Sequence, residues 1–217
     1  MPDTVPSTPG SGCWVGPLSS GQRLTLSRGD EVCLSIVGSL LPRTPTVNAR
    51  SAAEKTTDVS EEQITAWHEA GHAFVAVYLG GEVQSLSIDP DWDDGPERHG
   101  DITVHWPRAQ FSEEQLRKNA VLVALAGPVA EMIYRGDPFH PATVAEWSLD
   151  WKLAWQSADF VPDSQARMQF LEQRTIDLHR TLSQDNHWAG IGAVVDHLLA
   201  HQTLEGETVH EIIVEWL

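Results

Sequence analysis

Hydrophobic and polar positions along this 217-residue chain fall into two regimes. From Ser60 onward apolar side chains recur at helical spacing: Ile64, Trp67, Val75 and Leu79; Leu116, Val121, Leu122, Leu125, Val129 and Ile133; Leu171, Leu178 and Leu182; Ile191, Val194, Val195, Leu198 and Leu199. Such spacing gives each helix one apolar face and predicts helices from Ser60 to about Leu79, from Ser112 to Gly136, and over about 143–159, 163–183, 187–202 and 207–216. Ser60 with Gln63, and Ser112 with Gln115, form S-x-x-Q capping boxes, and Gly80-Gly81 and Gly136 mark helix ends. Thr143 and Glu146 read as a T-x-x-E box opening the third helix. Pro128 removes one hydrogen bond from the second and predicts a kink beside Gly127.

Two stretches alternate with period two instead. Val83 to Ile88 sets Val83, Ser85 and Ser87 against Leu86 and Ile88, and Gly100 to Trp106 sets Ile102, Val104 and Trp106 against Asp101, Thr103 and His105. The expected fold is therefore mainly α with a small β-sheet (α+β), a helical bundle occupying residues 59–217. Residues 1–22 and 42–58 are rich in Pro, Ser, Thr and Gly, too poor in apolar surface to offset the entropy of ordering. Between them Leu24, Leu26, Val32, Leu34 and Ile36 alternate around Arg28-Gly29-Asp30, which predicts a short hairpin. A lone hairpin is marginal in water, so it docks on the main domain or stays mobile. Residues 1–58 are accordingly read as a flexible N-terminal extension.

Charge narrows the partners. Residues 1–50 hold Arg23, Arg28, Arg43 and Arg50 against Asp3, Asp30 and Glu31, so the net charge of −17 resides wholly beyond them. That acidity argues against nucleic acid or an anionic membrane as partner. No apolar run approaches the ~18–20 residues that span a bilayer, and the chain does not open on a basic segment followed by an apolar one, so a cytoplasmic location is expected. Cys13 and Cys33, outside any C-x-x-C arrangement, read as free thiols.

Candidate chemistry lies on the first helix, in His68-Glu69-Ala70-Gly71-His72. Histidines four apart face the same way on a helix of 3.6 residues per turn, so both imidazoles can reach one Zn²⁺ at about 2.0–2.1 Å. Glu69 then stands beside the open metal position as general base toward a water. Gly71 suggests close approach of a neighbouring element. A catalytic zinc needs a third protein ligand, and the candidates are Glu131, Asp137, His140, Glu146, Asp150, His197 and His201. Asp150 stands out, because a carboxylate on a helical side with Trp147, Trp151, Ala154 and Trp155 is costly to bury unless paired or metal-bound. Glu131 is also a candidate acceptor for a ligand histidine N–H. His197 and His201, with no acidic residue between them, read as a solvated helix face.

Four segments together carry a resemblance. Ala66-Trp67-His68-Glu69-Ala70-Gly71-His72-Ala73, Leu125-Ala126-Gly127-Pro128-Val129-Ala130-Glu131, Ser148-Leu149-Asp150-Trp151-Lys152-Leu153-Ala154 and Leu198 to Gly206 resemble, in order and spacing, the peptidase domain of the FtsH family of zinc metalloproteases. The resemblance implies a mainly helical domain that binds zinc through His68, His72 and Asp150, with Glu69 catalytic. It departs from the family at Pro128, where an arginine is usual, and in lacking any G-x-x-x-x-G-K-[ST] loop, so the ATPase that feeds such peptidases is absent from these residues. The implied activity is endopeptidase cleavage of unfolded or flexible polypeptide, fed by a separate ATPase or organised by self-association. Substrate is expected to add as an extended strand to an exposed edge at Gly100 to Trp106. The competing expectation is a non-catalytic binding module that keeps the fold.

Overall fold

The computed structural model describes residues 23–25, 31–37, 60–91, 98–136 and 140–217. The Pro- and Ser-rich stretches at 1–22 and 42–58, the Arg28-Gly29-Asp30 turn, Cys13 and Asp137 lie outside them. The described elements are β1 (Arg23–Thr25), β2 (Glu31–Val37), α1 (Glu61–Tyr78), β3 (Glu82–Asp91), β4 (Arg98–Pro107), α2 (Glu113–Arg135), α3 (Ser148–Ser157), α4 (Ser164–Leu182), α5 (Asp185–His201), β5 (Thr203–Glu205) and α6 (Gly206–Val214). The molecule is mainly helical with a small antiparallel sheet, an α+β arrangement. No helix of the described residues is long and apolar enough to cross a membrane.

The first two helices start at the capping residues marked in the sequence. Ser60 and Ser112 each accept from the backbone N–H three residues on, Gln63 and Gln115, at 3.2 Å, satisfying a donor the first turn would leave orphaned. Gly136 ends α2 in the left-handed conformation, φ 71°. α2 remains one helix through Pro128. The third helix starts later than the T-x-x-E reading places it. Thr143 Oγ1 donates to the His140 carbonyl at 2.8 Å, holding the chain in a 3-10 turn, Pro141–Thr143; a second such turn, Ala145–Trp147, follows before α3 begins at Ser148. Local side-chain bonding to the backbone has displaced the helix start.

The sheet runs in the order β1-β2-β4-β3-β5. The anticipated hairpin forms and docks: β1 pairs with β2, and β2 pairs with β4 from Glu31↔Pro107 to Val37↔Asp101. Its Val32, Leu34 and Ile36 join Ile102, Val104 and Trp106 in the buried core. β3 departs from simple alternation. A register shift at Gln84 turns Val83 inward with Leu86 and Ile88 rather than outward with Ser85 and Ser87, as an inserted residue in a bulge does. The inner face is covered mainly by α1 and α6.

The α1 and α2 pair is the most extensive helix contact. Gly71 makes it possible: a Cβ there would lie 2.6 Å from Ala130 Cβ and 2.7 Å from the Ala126 carbonyl oxygen. The close approach anticipated at this glycine is between these two helices, and it sets α2 directly against the histidine motif.

Candidate metal centre

His68 and His72 project from the middle of α1, where the helix is most enclosed. Asp150, in the first turn of α3, meets them with Oδ2 3.2 Å from His68 Nε2 and Oδ1 3.7 Å from His72 Nε2. The three ligand atoms lie within 4.8 Å of one another, the only such cluster of three His, Cys, Asp or Glu side chains among the described residues. Three buried residues can thus hold one metal ion, and among the described candidates for third ligand Asp150 is the one whose carboxylate lies beside both Nε2 atoms.

The other described candidates go elsewhere. Glu131 reaches the far nitrogen of His68, Nδ1, at 3.3 Å, the outer position anticipated for it. His140 packs edge-on against Trp151 and pairs with Glu172 at 3.4 Å. Glu146 lies outside the cluster. His197 and His201 are exposed on α5 with ring centroids 6.5 Å apart.

Each histidine is oriented from behind. His72 Nδ1–H donates to the Val123 carbonyl at 2.6 Å, which leaves the Nε2 lone pair free to face the centre. That Nε2 is buried and without a hydrogen-bond partner, as suits an atom that can ligate a metal. Glu131 performs the same service for His68. Its Oε2 also accepts the Trp147 indole N–H at 2.6 Å, and its Oε1 pairs with Arg135 Nη2 at 2.6 Å.

Two glycines shape the space. At Gly127 a Cβ would stand 2.3 Å from His72 Nε2 and 2.6 Å from His68 Nε2, so any larger residue on α2 would occupy the region the two lone pairs face. That requirement accounts for a residue costing about 1 kcal/mol relative to Ala in mid-helix. Gly100 on β4, φ 123°, lies against the Glu69 side chain, where a Cβ would be 2.3 Å from Oε1. Glu69 is 1% exposed, and its Oε2 has no hydrogen-bond partner.

Burial is the largest single influence on these groups and prevails at two of the four. It pushes the Glu69 carboxyl up to about 8; His68 opposes this, while Asp150 and Asp101 add to it. It pushes His72 down to about 4 despite Asp150. Burial lowers His68 as well, but hydrogen bonds to Asp150 and Glu131 outweigh it and hold the imidazole well above its ordinary value. Glu131 would be raised by burial, yet His68, Trp147 and Arg135 together keep it below the usual carboxylate range.

One expectation is corrected. The segment Gly100 to Trp106 is not an exposed edge, because β4 is flanked by β2 from Asp101 onward and by β3 on its other side. A hydrophobic alternation reveals a strand but not its neighbours, and the N-terminal hairpin takes the position assigned to substrate. Sequence reading also passed over Trp147, Arg135, Gly127 and Gly100 as parts of the centre. A four-residue offset from Glu131 signals Arg135, and glycines inside a helix and a strand signal close approach; Trp147 had no such local signal. No protein-family model matches this chain, and no curated protein matches it.

Proposed function

We propose that this chain is a zinc-dependent endopeptidase of the FtsH peptidase type, cleaving unfolded or flexible polypeptide. The observation that carries the reading is the convergence of His68, His72 and Asp150 on one point beside a buried carboxylate, Glu69, with an unpartnered oxygen. Two imidazoles and one carboxylate form a three-ligand set that suits catalytic zinc, whereas structural zinc sites are closed by four protein ligands. Zinc bound there supplies Lewis acidity, polarising a scissile carbonyl and acidifying water.

The protein's own residues do the rest. Glu69 takes a proton from the attacking water and returns it to the departing amine. Gly100 bounds the carboxylate on its β4 side and restricts its swing. Glu131 and the Val123 carbonyl keep the imidazoles turned to the centre. Of the three ligands, His68 has the most exposed side chain, at 11% against 4% for Asp150 and none for His72, so substrate approaches past His68. Folded proteins cannot thread to so enclosed a centre, which favours loose segments or chain delivered by a separate ATPase.

Metal analysis combined with Glu69→Gln tests the reading. Wild type is expected to hold one zinc per chain and to cleave a flexible peptide; the variant should keep the zinc and lose activity by about 10²–10⁴-fold. A wild type that binds zinc but cleaves no flexible peptide would favour a non-catalytic module.

A further inference from the structure

The contacts around the centre form a closed circuit through three helices. His68 Nε2 meets Asp150, His68 Nδ1 meets Glu131, and Glu131 accepts the Trp147 indole N–H; Trp147 lies three residues before Asp150 in the chain. We propose that Trp147 is the positioning residue of the centre: its N–H bond to Glu131 fixes the start of α3, and so Asp150, relative to His68. The inference rests on the metal-site reading above and adds what sets the third ligand.

The need for such a device follows from how α3 begins. Its first turn is preceded by two 3-10 turns, and the Trp147 position caps it without a side-chain hydrogen bond to the backbone. The bonds within those turns, such as Thr143 N–H to the His140 carbonyl and Trp147 N–H to the Val144 carbonyl, are local to the turns and do not tie Asp150 to α1. Trp147 is 1% exposed, and its single polar atom is spent on a carboxylate of α2 across sixteen residues of chain. A neutral donor to a charged acceptor is a strong bond in a dry interior. The same Glu131 oxygen faces His68 Nδ1, so one carboxylate aligns a ligand on α1 while anchoring the helix that carries the ligand from α3.

Trp147→Phe keeps the ring in the core and removes only the N–H. Zn²⁺ affinity, measured by competition with a chromophoric chelator, is expected to fall about 10–100-fold, the range for losing an outer partner of a ligand. The visible spectrum of the Co²⁺-substituted protein should shift with it. A ring that only fills space would leave both unchanged, and that result would overturn the proposal. Combining Trp147→Phe with Glu131→Gln should cost little more than the larger single loss, because both break one circuit; fully additive losses would also overturn it. Should Trp147→Phe fail to fold, benzothienylalanine at 147, with sulfur in place of the N–H, makes the same comparison. A wild type that binds no Zn²⁺ would overturn the metal site itself, whereas a zinc-binding wild type matched by Trp147→Phe overturns only the role of Trp147.

Discussion

The helices that carry the three candidate ligands are held in opposite ways. On α1, thirteen of eighteen residues are buried, and the interval between His68 and His72 is set by one stretch of backbone. On α3, four of ten are buried, and Asp150 sits in a first turn that follows irregular chain. Two ligands are thus placed by secondary structure and the third by tertiary contact. A helix can fix a spacing cheaply, but the arm that closes the site has to be pinned from outside, by Glu131 and Trp147.

The contrast can be broken most severely at Gly127. Gly127→Ala puts a methyl group against both Nε2 atoms, and Zn²⁺ affinity by calorimetry should drop at least about a hundredfold, the upper end of what disturbing a ligand's surroundings costs. A small loss would mean that α1 yields and is less rigid than its burial indicates. Gly71→Ala tests the α1 seat without touching the centre. Its Cβ would meet Ala130 and the Ala126 carbonyl, so denaturant unfolding should register about 1–3 kcal/mol of destabilisation, with and without metal.

A pH-dependent effect separates Glu69 from its neighbours. Its carboxyl is raised by burial from 4.5 to about 8, so its contribution to the stability of the metal-free fold is whole below about pH 4.5 and is lost as pH rises through 8. In chelator, Glu69→Gln should therefore gain on wild type between pH 5 and pH 8, read from unfolding midpoints. A constant difference would show that solvent reaches the carboxyl. Least of all is expected from Lys152→Ala on the exposed side of α3: a stability change within about 0.5 kcal/mol and unaltered Zn²⁺ affinity, because Asp150 is held by contacts on the other side.

Legibility in the sequence follows the same division. α1 announces itself through Ser60, its apolar spacing and the five-residue motif, all local signals. Asp150 could be singled out as a costly buried carboxylate, but its meeting with His68 across 82 positions is a tertiary fact. The start of α3 is not legible, because Thr143 and Glu146 have the composition of a cap while Thr143 bonds backward to His140. The face of Val83 is hidden from alternation, because a single bulged residue resets the period. β5, three residues long, is too short for any periodicity to reveal. The place of β2 beside β4 depends on pairing across nearly seventy positions, which alternation alone does not encode.

That placement of β2 bears on how the protein can be handled. A fragment begun at residue 59, where composition changes, would lack the strand that covers β4 from Asp101 to Pro107 and would strip Val32, Leu34 and Ile36 from the core. The result would be a seven-residue run of unpaired amides and carbonyls above bare apolar side chains, a template for edge-to-edge aggregation. For expression, crystallisation or design, the practical unit includes the hairpin from Arg23 onward.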